Sequence, residues 1–428
     1  MKIKKKLSGL IILLIIAGLT LELSPFILAP AVLGHSFSRK EYRKDLKDNW
    51  IAIHAEKGPG SKADNYKQGI HSIHPYLGFV HNPGGAYNDL GFLGPDPLDS
   101  AKDNTLNICL CGGSVAKLLF QLKGDYFAEK LRESDVFSGQ EIRLFSVALG
   151  GFKQPQQMLS VNYLLSLGAH FDLIVNLDGF NEVVLPYTDN MSFDINPSYP
   201  RNWDVLSRKS LDTEEQILLG EQAMARHEKD QLTVLFVESP LKYSNLAMLF
   251  WKVLDNNKIN KINSTERELD KLISEQSLDY QSTGPACAFA DTNDYFRHEV
   301  KLWAEASALL YELSRSGKFN YFHFLQPNQY VPASKRLTKK ELEIAYIEGA
   351  SDYKTAVKIG YPMLQKKGME LIREGIAFKD LSMMFREVSE TVYNDKCCHF
   401  NEHGYEMIAD EMVSFIENYY TVNNLQKN

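Results

Sequence analysis

Ser114 occupies a position in the sequence that suits a nucleophile. It follows the apolar run 106–111 and the pair Gly112-Gly113, and the residues after it are apolar at helical spacing. A strand, a tight turn and a helix in this order would expose the hydroxyl at the carboxyl edge of a sheet, beside the unpaired N–H groups of the helix. The same pattern is also typical of a turn with a helix-capping serine.

Acyl transfer through a serine also needs a base, a group that orients the base, and N–H donors for the developing oxyanion. His399 is the candidate base, and Asp395 is the candidate acid that orients it. The candidate oxyanion donors are the backbone N–H groups of Ser114 and Gly151 and the side chain of Asn181. Gly151 has no side chain to block the approach of an oxyanion. Gly151 and Asn181 each have a structural interpretation as well: Gly151 as a turn residue and Asn181 as a helix cap.

Other polar residues near these candidates also have two interpretations. Asp178 and Glu182 flank Asn181, where they either tune the site or, as is more common, are solvated loop acids. Three residues after the fourth strand candidate either contact substrate or pack within their loop: Gln326, Asn328 and Tyr330.

Strands that alternate with helices must position these residues. Four short apolar runs are strand candidates: 106–111, 142–147, 172–177 and 319–325. Helical patterns follow, including 156–166 and 402–416. This alternation predicts an α/β fold with a parallel sheet, right-handed crossovers and helices on both faces. Ligands bind such sheets outside the carboxyl ends of the strands, where the glycine-bearing loops fall.

The remaining pattern predicts the domain organisation. Residues 1–34 read as a membrane anchor, and 35–105 as a stalk with a β-hairpin lead-in. Residues 106–420 form the main domain, in which 191–318 is a long, mostly helical insertion without flanking linkers. The polar residues 421–428 read as a flexible tail.

The first 34 residues combine a lysine cluster with an apolar stretch long enough to span a membrane. The proline in Ala29-Pro30-Ala31 makes a poor cleavage site, which favours an uncleaved anchor with the catalytic domain on the extracytoplasmic side. The alternative is a cleaved signal peptide and a secreted protein.

Charge and cysteine content exclude several classes of function. The chain carries a formal charge of −7, and without its first 34 residues, which contain four lysines and one glutamate, −10. An acidic domain without a basic cluster argues against nucleic acid and anionic lipid as partners. No cysteine pair has the spacing of zinc ligands, so no structural metal is expected. A disulfide from Cys287 to Cys397 or Cys398 is compatible with an oxidising compartment.

Four blocks of this sequence together resemble the SGNH (GDSL-type) hydrolase superfamily: Cys111–Ser114, Ala148–Gly151, Gly179–Asn181 and Asp395–His399. The resemblance covers residues 106–182 and 319–416, and the Asn88-x-x-Gly-Phe92 motif is similar to the lead-in of the membrane-anchored bacterial branch. It implies a flavodoxin-like three-layer α/β/α sandwich, no metal or cofactor, and hydrolysis or transfer of an ester-linked acyl group.

The family usually places its acid three residues before the histidine, where this chain has Lys396, and Asp395 lies one position earlier. The function expected from the resemblance is a serine esterase or lipase-like hydrolase, acting on an acylated small molecule or an envelope glycan. An O-acyltransferase that uses the same acyl-enzyme is the nearest alternative. The shifted acid motivates a further one, a catalytically silent binding module with the same fold.

Overall fold

The computed structural model describes residues 13, 16–55, 71–99, 105–207, 213–275, 280–317 and 319–425. The chain divides into two compact units. The N-terminal unit consists of Met1–Asn65 with Lys209–Ser277, and the sheet unit consists of Tyr66–Arg208 with Leu278–Asn428. The predicted insertion 191–318 is therefore divided between the two units, with its middle part belonging to the N-terminal unit.

The sheet unit contains a hairpin and a five-stranded sheet. The hairpin strands β1 (His71–His74) and β2 (Gly78–His81) are antiparallel, within the predicted lead-in. The large sheet consists of β3 (Thr105–Gly112), β4 (Glu141–Ser146), β5 (Leu173–Asp178), β6 (Asn320–Leu325) and β7 (Ala377–Asp380).

The strand order is β4-β3-β5-β6-β7, and all neighbouring strands are parallel. The predicted α/β class with a parallel sheet is confirmed, and each of the four predicted strands is present. Sequence reasoning missed β7, because its four residues, Ala-Phe-Lys-Asp, are too few to show a periodic pattern.

The helices of the described residues are, in chain order, α1 (Pro25–Leu33), α2 (Arg39–Ala55), α3 (Ser114–Glu133), α4 (Gln156–Ser166), α5 (Phe180–Leu185), α6 (Trp203–Ser207), α7 (Thr213–Glu238), α8 (Asn245–Glu275), α9 (Tyr280–Thr283), α10 (Thr292–Ser314), α11 (Lys339–Ile344), α12 (Asp352–Arg373) and α13 (Glu402–Leu425). Short helical turns span Pro186–Asn190, Met191–Phe193 and Pro240–Tyr243. Helix α13 thus includes residues 421–425 of the predicted tail, and 426–428 lie outside the described residues.

The N-terminal unit is helical and has a small core of its own. Its buried apolar side chains come from helices α1, α2, α7 and α8 and from the segment between α1 and α2, and they include Phe37, Tyr42, Phe236 and Trp251. The carboxylate of Glu22 accepts a hydrogen bond from the backbone N–H of Asn245 at the start of α8. Most side chains of the segment Ile16–Leu33 remain exposed, with 11% of them buried. This segment is long and apolar enough to cross a membrane, a property that a signal sequence shares.

The core of the sheet unit surrounds the central strands. All six residues of β5 are buried, as is typical of a parallel strand that is covered on both faces. Helix α13 lies against α3, and α12 contacts both β7 and α10. The carboxyl ends of β3, β5 and β6 are thereby held at one edge of the sheet, where the chain continues into the glycine-bearing loops.

Close packing between α12 and β7 predicts that Gly368→Ala is destabilising. A Cβ atom at residue 368 would lie 2.3 Å from Cε1 of the Phe378 ring. That ring is buried and packs against Trp303 and His323, so it has no free space to move into. We expect a loss of about 1–3 kcal/mol in the free energy of unfolding, measured by denaturant unfolding.

The matched control is Gly220→Ala in α7, which adds the same methyl group to an exposed helical position with nothing within 4 Å of the new Cβ atom. Alanine has a higher helix propensity than glycine, so Gly220→Ala should not shift any unfolding transition to a lower denaturant concentration. Equal effects of the two substitutions would contradict the packing argument.

Candidate active site

The position of Ser114 follows from the pairing of β3 with β5. These parallel strands are in register to their carboxyl ends, where Gly112 is opposite Leu177. Gly112 has a φ of 148°, and a Cβ atom there would lie 2.2 Å from the carbonyl oxygen of Leu177. Only glycine fits this close approach, so the chain can turn sharply after β3 and begin α3 at Ser114.

Ser114, His399 and Asp395 form a continuous hydrogen-bonded chain. His399 Nε2 lies 2.7 Å from Ser114 Oγ, and His399 Nδ1 lies 2.6 Å from Asp395 Oδ2. The serine and the histidine are 285 residues apart in sequence, and the fold brings them into direct contact. With Nδ1–H donating to the carboxylate, Nε2 is free to accept the serine proton, as in serine hydrolases.

Asp395 also holds the loop that carries the histidine. Its Oδ1 atom accepts hydrogen bonds from the backbone N–H groups of Cys397, Cys398 and His399, at 2.9, 3.2 and 3.3 Å. One carboxylate oxygen therefore closes a tight turn, while the other orients the imidazole ring. This turn accounts for the spacing of four residues between acid and histidine, one more than the resemblance implies.

The charge of Asp395 is maintained by the same contacts. Burial by itself raises the pKa of this carboxyl group. The hydrogen bond from His399 and the backbone N–H groups of Cys397 and His399 lower it more strongly, so the pKa of Asp395 lies well below its ordinary value. The carboxylate is therefore ionised at neutral pH and can stabilise a positively charged imidazolium.

Asn181 and Gly151 lie at the same edge. Asn181 Nδ2 donates a hydrogen bond of 2.7 Å to the carbonyl oxygen of Phe152, the residue after Gly151. A Cβ atom at Gly113 would lie 2.2 Å from this same nitrogen, so a glycine before Ser114 is required for Asn181 to approach. An amide nitrogen carries two N–H groups, and the second remains available for an oxyanion. Gly151 itself adopts a left-handed conformation with a φ of 83°.

The expectation that Asp178 and Glu182 are solvated loop acids is wrong. Both side chains are buried, with exposed fractions of 1% and 3%. Asp178 Oδ1 accepts hydrogen bonds from Trp303 Nε1 at 2.7 Å and from His323 Nε2 at 2.9 Å. These donors come from α10 and β6, more than a hundred residues later in the chain, so local sequence carried no sign of them.

Glu182 fixes the start of the short helix that carries Asn181. Its Oε2 atom accepts the backbone N–H of Gly179 at 2.7 Å, and its Oε1 atom accepts Nε2 of Gln157 at 2.8 Å. Burial, together with the charge of Asp178, raises the pKa of Glu182 well above its ordinary value. Residues 178–182 around Asn181, which we call the asparagine loop, are thus held by a buried carboxyl group at each end.

A buried lysine lies two residues after Gly151. The Lys153 ammonium group donates a hydrogen bond to the carbonyl oxygen of Pro197. Burial lowers the pKa of Lys153, and the nearby carboxyl groups of Glu299 and Glu182 partly oppose this shift. Burial likewise raises the pKa of Glu299. The contact with Pro197 holds residues 151–153, the segment of the candidate oxyanion donor Gly151, which we call the oxyanion loop.

The polar residues after β6 bind the backbone of the histidine loop. Asn328 Nδ2 donates to the carbonyl oxygen of Cys397 at 3.1 Å, and the Tyr330 hydroxyl donates to that of Lys396 at 2.7 Å. Gln329 Nε2, in the same segment, donates to the carbonyl oxygen of Asp395 at 3.0 Å. Of the two interpretations for Asn328 and Tyr330, the structure therefore supports loop packing. Sequence reasoning missed Gln329, whose only signal was its position at a strand end.

The lead-in hairpin supports the oxyanion loop from the other side. The rings of Phe79 and Phe92 contact the ring of Phe152, with centroids 5.3 and 6.4 Å apart. Within the lead-in, Asn88 Oδ1 accepts the backbone N–H groups of Leu90 and Phe92 and so closes the turn that buries Phe92. The Asn88-x-x-Gly-Phe92 motif is therefore a structural element that positions Phe152.

The five cysteines are all free thiols in this structure, so the disulfide considered for Cys287 is absent. Cys397 Sγ and Cys398 Sγ lie 3.0 Å apart. Burial raises the pKa of the Cys398 thiol well above its ordinary value. Among the described residues, Cys397, Cys398 and His399 form a group whose potential metal-ligand atoms all lie within 4.8 Å of one another.

Comparison with known sequences does not assign the chain to a family. No family model matches the chain, and no curated protein matches it at a significant level.

The two roles of Asp395 can be separated by mutation. In Asp395→Asn, Oδ1 still accepts the three backbone N–H groups, but the amide facing Nδ1 favours the wrong imidazole tautomer. We expect the rate at which Ser114 reacts with a fluorophosphonate to fall by on the order of 10³–10⁴, measured by time-resolved labelling.

The comparison for this prediction is Asp395→Ala, which removes the loop contacts as well. It should lower the thermal midpoint of unfolding more than Asp395→Asn does, because three backbone donors lose their partner. Labelling of Asp395→Asn at the rate of the unmodified protein would show that Asp395 does not orient the base.

Proposed function

We propose that this protein is a serine hydrolase of the SGNH type that cleaves ester-linked acyl groups. The observation that carries the proposal is the chain of short contacts from Ser114 Oγ through His399 to Asp395 Oδ2. Asn181 and Gly151 beside it supply the donors that an oxyanion requires. In this mechanism His399 takes the proton of Ser114 as the hydroxyl attacks the ester carbonyl, and later returns it to the leaving alcohol.

The topology also supports this assignment. The strand order β4-β3-β5-β6-β7 corresponds to the order 2-1-3-4-5 of flavodoxin-like sheets. We therefore propose the flavodoxin-like three-layer α/β/α sandwich as the finer description of the fold. In open sheets of this kind, ligands bind outside the carboxyl ends of the strands, which is the edge that carries Ser114 and Asn181.

The contact between Asp395 and His399 weakens the case for a silent binding module. That alternative rested on the shifted position of the acid, and the tight turn closed by Asp395 Oδ1 compensates for the shift. Water or a sugar hydroxyl can resolve the same acyl-enzyme, so an O-acyltransferase would need the same residues. We propose an acylated small molecule or glycan as substrate, and no nucleic acid, since the domain is acidic.

We further propose that the segment Ile16–Leu33 anchors the protein in a membrane, with the catalytic domain on the extracytoplasmic side. The low buried fraction of this segment, 11%, distinguishes it from the core helix of a soluble protein. The lysines that precede it in the sequence favour a cytoplasmic N-terminus. An envelope glycan would then be within reach of the site.

Ser114→Ala tests the nucleophile directly. The alanine variant lacks the only atom that a serine-directed fluorophosphonate can modify at this site, so covalent labelling should disappear. The measurement is mass spectrometry of the labelled full chain, with circular dichroism to verify folding. A phosphonate adduct on the folded alanine variant would place the nucleophile at another residue.

Asn181→Ala tests the oxyanion donor. Loss of one donor typically lowers turnover by about 10²–10³, and we expect this factor in the hydrolysis of short nitrophenyl esters. The KM should change much less, because the hydrogen bond forms mainly in the transition state. Unchanged turnover in a folded Asn181→Ala variant would remove Asn181 from the mechanism.

A further inference from the structure

The histidine loop brings two thiols close to the imidazole that contacts Ser114. The Sγ atoms of Cys397 and Cys398 and a ring nitrogen of His399 lie within 4.8 Å of one another. Asp395 Oδ1 binds the backbone N–H groups of all three residues, so the turn that orients the catalytic base also aligns the two thiols. Neither thiol is needed for the proposed ester hydrolysis.

The ring nitrogen that can take a ligand is Nε2, whose hydrogen-bond partner in this structure is the Ser114 hydroxyl. Nδ1 is occupied by its hydrogen bond with Asp395 Oδ2 at 2.6 Å. A histidine that binds a metal commonly donates its other N–H to a carboxylate, which fixes the tautomer and the ring orientation. The pair of Asp395 and His399 has this arrangement before any metal binds.

The surroundings of His399 offer four potential ligand atoms. The hydroxyl of Ser114 lies 2.7 Å from Nε2. Cys397 is partly exposed, so an ion from solvent can reach its thiol, whereas Cys398 is buried. Two sulfurs, one imidazole nitrogen and one further oxygen make a set of four, the number that zinc prefers.

We propose that Cys397, Cys398 and His399 form an inhibitory binding site for a thiophilic divalent cation of the zinc class. Sulfur and imidazole ligands select zinc over magnesium or calcium, which prefer oxygen. On binding, the two thiols release their protons to solvent and coordinate as thiolates, and Nε2 donates its lone pair. A tetrahedral zinc ion holds two sulfurs about 3.7 Å apart, so the cysteine side chains must rotate slightly from their 3.0 Å contact.

Metal binding at this site would stop the proposed reaction. The lone pair of His399 Nε2 that accepts the serine proton would be engaged by the metal, and the hydrogen bond to Ser114 Oγ would be lost. Inhibition therefore rests on the proposed hydrolase function, whereas the binding of the metal does not. The two statements can be tested separately with the same protein.

Cobalt is the probe for binding, because Co²⁺ occupies zinc sites and its thiolate complexes absorb light. The full chain, kept reduced with a phosphine, is titrated with Co²⁺ and followed by absorption spectroscopy. We expect a thiolate-to-cobalt charge-transfer band with the visible bands of tetrahedral cobalt at one equivalent, and their loss when Zn²⁺ is added. Cys397→Ser should weaken the affinity for Co²⁺ by more than about tenfold, since loss of a ligand costs at least as much as loss of a group that orients one.

The matched control is Cys287→Ser, which removes an exposed thiol elsewhere in the chain and should leave the cobalt spectrum unchanged. Absence of the charge-transfer band in the reduced protein, or an equal band in folded Cys397→Ser, would overturn the proposal. A Cys397–Cys398 disulfide that persists under the reductant would overturn it as well, since the two thiols would then serve a different chemistry.

Fluorophosphonate labelling tests the inhibition. Zn²⁺ should slow the labelling of Ser114 in the unmodified protein, and should slow that of Cys397→Ser much less, each compared with its own rate without metal. Labelling of the unmodified protein that zinc does not slow would refute the inhibition. If the metal-free protein is not labelled at all while the cobalt spectrum appears as expected, the proposed hydrolase function fails and the metal site stands.

Discussion

The candidate site depends on one carboxylate that makes four hydrogen bonds. Asp395 uses Oδ1 to bind three successive backbone N–H groups and Oδ2 to bind the ring of His399. The first set defines the shape of the loop, and the last bond defines the tautomer and direction of the imidazole. Because both functions reside in one side chain, Asp395 couples the shape of the loop to the orientation of the His399 ring.

Two further constraints position Ser114, the proposed nucleophile, opposite this loop. The close approach of β3 to β5 requires glycine at residue 112, and the approach of Asn181 requires glycine at residue 113. Asn181 is held in turn by the carbonyl of Phe152, whose ring is fixed by the aromatic lead-in. The serine, the asparagine and the oxyanion loop are therefore positioned by close backbone packing at Gly112 and Gly113, by the side chain of Asn181 and by aromatic rings around Phe152.

Behind this edge lies a layer of buried polar groups. Asp178 accepts hydrogen bonds from Trp303 and His323, and Glu182 holds the backbone of Gly179. Buried carboxyl groups are tolerated only when donors surround them, so this layer links the asparagine loop to α10 and β6. The same principle applies to the segment after β6, where Asn328, Gln329 and Tyr330 bind the carbonyl groups of the histidine loop.

Local sequence by itself determined the α/β class, the four main strands, and the identity of Ser114, Gly151, Asn181, Asp395 and His399 as candidates. Apolar periodicity and turn residues indicate the strands and the loops after them, and residue type and order along the chain single out the candidates. Only the tertiary structure decided that Asp395 can orient His399 from four residues away, that Asp178 and Glu182 are buried, and that two thiols lie close to the His399 ring. These three features depend either on hydrogen-bond geometry within a folded loop or on contacts with remote segments. Such geometry and such contacts leave no pattern in the order of the residues.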